Sequence, residues 1–310
     1  MATQTEGTFE VDGHKLHSTT WTLTLHHQPE GPIKAKLVFV HGFSDHVGRY
    51  DELFPNLAGR GIQVFSWDQR GWGRSAAAKS DRGLTGPTSR VLADVAAFIK
   101  SKIPSPPTDA PLFVMGHSMG GGQVLALASD PQYHDLVGQV RGWLLESPFI
   151  AFTPGEEPSF LKVFFGKLAS KVLPKQQLVN EIPAEHLTRD KAAQQSIRDD
   201  DLMHNTGTLE GLAGMLERTD QLAQNKLTLS GNVKSLWLGH GTEDKTTCFN
   251  ASKKWFGAQT TIEDGHHKPY EGAYHQLHAD LCKDEFFKDV GDWILERAGE
   301  PAAAKPESKL

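Results

Sequence analysis

Apolar residues in this chain fall into short unbroken runs, separated by stretches in which they recur every three or four positions. The runs are Leu37-Val38-Phe39-Val40, Val64-Phe65-Ser66-Trp67, Leu112 to Met115, Trp143-Leu144-Leu145, and Val233 with Leu236-Trp237-Leu238. A run without polar alternation is the pattern of a strand buried on both faces, as in a parallel sheet. Helical stripes lie between them. One spans Tyr50 to Arg60 and is stopped by Gly61. A second, Ser89 to Lys102, puts Val91, Leu92, Val95, Phe98 and Ile99 on one side and ends before Pro104. The last carries Phe286, Phe287, Val290, Trp293 and Ile294 and is closed by Gly299 and Pro301. A final strand is expected near Thr260–Ile262. The first strands differ, with two short ones over residues 8–25 around the turn Asp12-Gly13. This alternation predicts an α/β fold: a mostly parallel sheet covered by helices on both faces.

One region breaks the rhythm. From Ile150 to Asn232 there are helical patterns and prolines but no convincing parallel strand. The expected organisation is therefore a core in two parts, 1–149 and 233–298, with a helical cap insertion over 150–232 and a flexible tail over 299–310. Ser159 to Leu173 carries Phe160, Leu161, Val163, Phe164, Phe165, Leu168, Val172 and Leu173, with Lys162, Lys167 and Lys171 between them. Such a wide apolar surface suits either a helix packed inside the insertion or a lid helix that lines an acyl pocket or rests on lipid. A second stripe, Leu209, Leu212, Ala213 and Leu216, would brace the same insertion.

Composition narrows the partners. A chain of 310 residues can bury a sizeable core, and a net charge of −6 argues against nucleic acid as its main partner. Two cysteines, Cys248 and Cys282, supply no disulfide framework and fit a reducing compartment. No apolar run approaches the roughly 18 residues of a membrane-spanning helix. The last three residues, Ser308-Lys309-Leu310, follow a polar tail and read as a peroxisomal address. The expected location is thus peroxisomal or cytoplasmic, peripheral to membranes or lipid droplets.

The chemistry centres on Val114-Met115-Gly116-His117-Ser118-Met119-Gly120-Gly121-Gly122. An apolar strand stops at a serine and turns at once into a helix. Glycine two positions before and two after Ser118 lets the strand and helix backbones approach where no Cβ would fit. A serine hydroxyl needs a base within reach and an acid to orient that base. Asp244, just past the Leu236–Leu238 strand, is the expected acid, with Glu243, one position earlier in the turn, as its neighbour and alternative. His266, His267, His275 and His278 all follow in the required order. His275 is favoured because a short loop before the final helix can return it to the sheet edge, whereas His266 and His267 would sit on loop surface. His275 and His278 are three apart, but no Cys or carboxylate constellation accompanies them, so neither metal nor cofactor is expected. Main-chain N–H groups of Met119 and of Phe43, after the Leu37–Val40 strand, are the candidate oxyanion donors.

These residues resemble the α/β-hydrolases and, within them, the monoacylglycerol lipase family, over roughly residues 10–298. His41-Gly42-Phe43-Ser44-Asp45-His46-Val47-Gly48-Arg49-Tyr50 is similar to the family's H-G-x-x-[ED]-H-x-x-R-Y loop. The segment Asp68-Gln69-Arg70-Gly71-Trp72-Gly73-Arg74-Ser75 is similar to its D-x-R-G-x-G-x-S turn. Gly116 to Gly121 matches its nucleophile elbow, and Gly272 to His278 its catalytic-histidine segment, which selects His275. The resemblance implies a lipid-facing cap and cleavage of one ester between a long acyl chain and glycerol. It also implies that Asp45, Arg49 and His117 define the polar end that receives glycerol, although Asp45 and Arg49 could equally brace the loop as an ion pair. Asp68 and Arg70 are expected to hold loops rather than substrate. Alternative substrates are other carboxylic esters, lysophospholipids or acyl-CoA, and a silent binding module is the contrasting class. Epoxide hydrolases and haloalkane dehalogenases would need an Asp at position 118. Two departures stand out: Phe43 is bulky for the oxyanion loop, and Cys248 lies four residues after the acid, one further than a pocket-lining cysteine of the mammalian relatives.

Overall fold

The computed structural model describes residues 1–24, 33–105, 110–157 and 166–299. The apolar runs become β3 (Ala35–Val40), β4 (Ile62–Trp67), β5 (Leu112–His117), β6 (Gly142–Glu146) and β9 (Ser235–Gly241), all nearly or wholly buried. They pair in parallel, β4 and β5 flanking β3, then β6 beside β5 and β9 beside β6. Alternation along each strand divides the core between the two faces. In β3, Leu37 and Phe39 join Leu53, Phe54 and Phe286 on one face, while Val38 and Val40 join Val95, Phe98 and Val124 on the other.

The opening hairpin is longer than its apolar positions predict. Strands β1 (Ala2–Val11) and β2 (His14–Leu23) pair antiparallel over their full lengths, and β2 continues the sheet onto β4. Much of β1 is exposed, so its polar residues carry no burial signal. Asp12 and Gly13 both take positive φ, 48° and 71°, as a two-residue hairpin turn requires.

Two expected boundaries move. The last strand is β10 (Asp264–Tyr270), parallel to β9, rather than Thr260–Ile262. As an edge strand with the sequence DGHHKPY it lacks an apolar run, and it places His266 and His267 within the strand instead of after it. The expected Tyr50–Arg60 helix is a 3-10 turn, Val47–Tyr50, followed by α1 (Leu53–Gly59). Pro55 accounts for the later start: without an N–H it is tolerated in a first turn, not in an interior. Helices α2 (Thr88–Lys102) and α3 (Met119–Ser129) follow the apolar stripes.

Between β6 and β9 lies the segment read as an insertion. It is not wholly helical: β7 (Gln177–Val179) and β8 (Thr206–Thr208) form a separate antiparallel ribbon, too short to show an alternation. Helices α4 (Lys191–Arg198) and α5 (Leu209–Ala223) flank β8. Polar ties fasten this segment to the core, including Arg218 to the Thr88 hydroxyl, the Thr208 hydroxyl to the Gly83 carbonyl, and Arg189 to Asp280. Helices α6 (Phe249–Gly257) and α7 (Lys283–Ala298) complete the chain. Phe160, Leu161, Val163, Phe164 and Phe165, and the Ser308-Lys309-Leu310 tail, lie outside the described residues. No helix among the described residues is long and apolar enough to cross a membrane.

Candidate active site

Strand β5 delivers Ser118 to the sheet's carboxyl edge, and α3 begins at the next residue. Ser118 has φ 53° and ψ −118°, a left-handed conformation that costs on the order of 1–3 kcal/mol for a non-glycine residue. The flanking glycines explain how the turn closes. A Cβ on Gly120 would lie 2.2 Å from the Val40 carbonyl oxygen, and one on Gly116 would lie 2.6 Å from that of Gly120. Both approaches are to backbone, which cannot step aside.

The acid and base come together as expected. Asp244, in the turn after β9, sets its Oδ2 2.8 Å from His275 Nδ1. Both residues are buried. Asp244 Oδ1 accepts main-chain N–H groups from Thr246 and Thr247 at 2.7 and 2.9 Å. Burial alone would push this carboxyl up, but facing His275 and hydrogen bonds from His240 and His275 hold it well below the usual carboxylate range. Glu243 is exposed. The other histidines are elsewhere. His266 is exposed; His267 stacks on Phe249, and burial first, then His240, pushes its ring down to about 4. His278 places Nδ1 2.8 Å from Glu146 Oε1.

Phe43 and Met119 both border Ser118 in the apolar cavity described below. No main-chain acceptor among the described residues takes either N–H. Both N–H groups thus lie beside Ser118 without a main-chain acceptor among the described residues, and an oxyanion donor in comparable sites is worth about 2.7–4 kcal/mol. The bulky Phe43 ring is accommodated by turning onto Trp72, centroid to centroid 4.9 Å.

Two cavities, one mainly apolar and one of mixed lining, meet at Ser118, Phe43 and Ile182. The larger, about 540 Å³, runs beneath α5 and is walled by Phe149, Leu209, Leu212, Ala213, Met215 and Leu216 among others. The smaller, about 170 Å³, has Ser44, Asp45, His117, Asp200, Asn205 and His275 on its polar part and Ile182, Ala184, Leu187, Ile197 and Met203 on its apolar part.

Of the residues expected at the polar end, Asp45 and His117 line this small cavity and Arg49 does not. Asp45 and Arg49 form no ion pair with each other. Asp45 Oδ2 accepts the Tyr50 hydroxyl at 2.5 Å and its Oδ1 the His46 N–H at 2.8 Å. Arg49 reaches across to α4 and its far end, bonding the Ser196 hydroxyl at 2.9 Å and Asp200 at 3.3 Å. Burial pushes the His117 ring down to about 3, so it is neutral at physiological pH. Asp68 and Arg70 hold loops, as the sequence suggested: Asp68 accepts the N–H groups of Val47 and Arg74, and Arg70 pairs with Asp94 at 2.9 Å. Cys248 stands at the N-cap position of α6 without a side-chain capping hydrogen bond and is half-buried.

Several site residues escaped the sequence reading. Asp200 lies in the acidic run Asp199-Asp200-Asp201, which looks like solvated surface. Glu146 and His240 end buried strands, a position that could have flagged both. His117, Glu146 and His278 bring ligand-type atoms within 4.8 Å of one another. Glu146 Oε1 accepts both the ring N–H and the main-chain N–H of His278, so a carboxylate does accompany one of the later histidines, contrary to expectation, while Glu146 Oε2, His117 Nδ1 and His278 Nε2 are buried without a hydrogen-bond partner among the described residues.

A parallel sheet with a strained serine at the β5–α3 turn defines an α/β-hydrolase. Residues 31–281 match the family described as serine aminopeptidase, S33. The chain is 34% identical over 301 residues to the Schizosaccharomyces pombe protein named "Putative monoglyceride lipase", covering 95% of this chain and 75% of that one. It is 29% identical over 305 residues to the mouse monoglyceride lipase, covering 96% and 92%. Among solved structures, a soluble variant of the Saccharomyces cerevisiae monoglyceride lipase with a substrate analogue superposes with a TM-score of 0.83 at 21% identity, covering 94% of each chain. The chain belongs to the monoglyceride lipase family of α/β-hydrolases.

Proposed function

We infer that the protein hydrolyses monoacylglycerols to a free fatty acid and glycerol through an acyl-enzyme. The observation that carries this reading is the meeting of the two cavities at Ser118. A single acyl chain suits the apolar one, and a three-carbon polyol suits the size of the smaller one, where Asp45, His117 and Asn205 offer polar partners. A CoA or a phosphate-bearing headgroup is poorly matched to a space of about 170 Å³.

In this reading Ser118 Oγ attacks the ester carbonyl while His275 Nε2 takes its proton. Asp244 holds Nδ1 at the other edge of the ring and stabilises the imidazolium. The Phe43 and Met119 N–H groups bind the oxyanion. Collapse breaks the C–O bond to glycerol, whose oxygen receives the proton from His275. A water molecule, deprotonated by His275, then attacks the acyl-enzyme and releases the fatty acid. Asp45 and His117 receive the glycerol hydroxyls; Arg49 acts on the pocket through Asp200. Residues 150–232 serve as the cap. Leu168, Val172, Leu173, Leu178 and Val179 are exposed on it, and Leu178 also lines the acyl cavity. This apolar edge would rest on a membrane or lipid droplet and admit substrate from it.

Ser118→Ala should abolish both monoacylglycerol turnover and fluorophosphonate labelling; continued labelling at another serine would overturn the assignment. Acyl-CoA or lysophospholipid hydrolysis faster than monoacylglycerol hydrolysis at equal chain length would overturn the substrate. For the cap, Val172→Ser with Leu173→Ser should weaken co-sedimentation with phosphatidylcholine vesicles while sparing turnover of a water-soluble short-chain ester.

A further inference from the structure

Asp244 Oδ2 has three neighbours that can donate, and only one of them is the base. His275 Nδ1 lies at 2.8 Å, the Thr247 hydroxyl at 2.9 Å, and a second histidine, His240, presents Nε2 at 3.0 Å. His240 stands at the end of β9, four residues before the acid, and is fully buried. Its protonation follows from its neighbours. Nε2 faces the Asp244 carboxylate and the Thr247 carbonyl at 3.2 Å, both acceptors, so it carries the proton. Its Nδ1 is buried with no hydrogen-bond partner among the described residues. His240 thus donates through Nε2.

We propose that His240 is a positioning residue for the hydrolytic reaction: its Nε2–H fixes the Asp244 carboxylate against His275 and lowers the basicity that His275 feels. The inference rests on the reading of Ser118, His275 and Asp244 as the catalytic set. Five donors converge on this carboxylate, two main-chain and three side-chain. Removing one from Oδ2 leaves more of the negative charge to His275, which then holds its proton more tightly. It also frees the carboxylate to rotate. The other groups facing the pair are few. His117 on β5 has its ring 4.9 Å from that of His275, with Glu146 on β6 and His278 behind it. His267 on β10 faces His240 and is neutral. Lys245, next to the acid, lies over the Tyr274 ring at 4.3 Å. None of these supplies a donor to Oδ2.

The test compares His240→Leu, which fills the space without a donor, with His240→Gln, whose side-chain amide keeps one. The full-length enzyme is assayed on a monoacylglycerol from pH 5 to pH 9. His240→Leu should lose about tenfold in kcat with KM within about twofold, the share expected of one hydrogen bond to a charged group. The acid limb of its kcat/KM profile should move up by about half to one pH unit. His240→Gln should restore both. A wild-type acid limb in His240→Leu overturns the proposal, as does a His240→Gln enzyme as impaired as the leucine variant. If either variant fails to fold, near-ultraviolet circular dichroism reports it, and Thr247→Val, which deletes another Oδ2 donor, must shift the acid limb in the same direction or the proposal falls. Ser118→Ala separates the two levels: if the wild-type activity survives it, the catalytic reading fails, whereas an unshifted limb with Ser118-dependent activity sinks only the role of His240.

Discussion

His41 Nε2 accepts the main-chain N–H of Gln69 at 2.9 Å, which leaves the ring proton on Nδ1, 2.8 Å from the Gly42 carbonyl oxygen. The ring is fully buried, and burial first of all pushes its pKa down, in keeping with this neutral form. The consequence falls on one peptide group. In a trans peptide the N–H points opposite to the C=O, so a histidine that holds the Gly42 carbonyl aims the Phe43 N–H away from itself. The Gln69 side chain adds a second tie by donating to the His41 carbonyl at 2.8 Å. His41→Leu should therefore lower kcat by about 30-fold with little change in KM, a part of what losing an oxyanion donor outright costs. Steady-state kinetics on a monoacylglycerol check this, and an unchanged kcat would show that the loop holds itself.

The elbow makes a steric prediction that needs no kinetics. Gly120→Ala would drive a methyl group to 2.2 Å from the Val40 carbonyl oxygen, forcing α3 off β3. Since β3 is central in the sheet, the strain cannot be relieved at an edge. The variant should lose more than about 3 kcal/mol of stability or fail to fold. Urea unfolding measures the loss. Gly257→Ala, where nothing lies within 4 Å, should be neutral by comparison.

Polar ties between core loop and insertion carry a pH signature. His46 Nε2 lies 2.8 Å from Asp200 Oδ2, and Arg49 reaches the same oxygen. Burial works to lower the His46 pKa, but the hydrogen bond to Asp200 and the nearby Asp45 and Asp68 outweigh it, and the net shift is upward. Burial likewise opposes ionisation of Asp200, yet His46 and Arg49 bring it down to about 2. The His46 contribution is therefore complete below about pH 6.5 and is lost as pH rises through its raised value. The Asp200 contribution is complete above about pH 3.8 and is lost as pH falls toward about 2. Between those limits the tie is at full strength. Asp200→Asn should lower Tm most near pH 5.5 and less at pH 8, where Arg49 alone still calls for the charge. A difference in Tm independent of pH would show that His46 takes no part.

What the sequence discloses about this fold follows burial. Strands β3, β5 and β9 are covered on both faces, so their apolar runs stand out, and Ser118, Asp244 and His275 are legible because each sits at the end or return of such a strand. Edge strand β10 reads as loop because one side of it meets solvent. The ribbon β7–β8 is held by the chain's return path, not by a pattern of its own. The pairing of Arg49 with Asp200 was hidden for a different reason. Their partnership spans 151 positions, and a charge in a polar stretch shows nothing of what it will face. His240 illustrates the middle case: a histidine inside a fully buried strand end is visible, but its aim at the acid emerges only with the turn that follows.

The last prediction concerns chain length, which the apolar cavity should control. Ala213 lies on α5 and lines this cavity with Leu209, Leu212 and Leu216. A phenylalanine at 213 would project into a space of about 540 Å³ without touching the smaller cavity, which α5 does not line. A long acyl chain would lose both room and buried area. At roughly 0.8 kcal/mol per methylene, expelling two or three groups corresponds to about a tenfold to fiftyfold loss in kcat/KM. A butyryl ester, which ends near Ser118, should be cleaved at the wild-type rate. The expected outcome of Ala213→Phe is thus a preference moved toward short chains at constant kcat for the shortest substrate. Equal losses across a series of monoacylglycerols from four to eighteen carbons would mean that the acyl chain leaves Ser118 by another route.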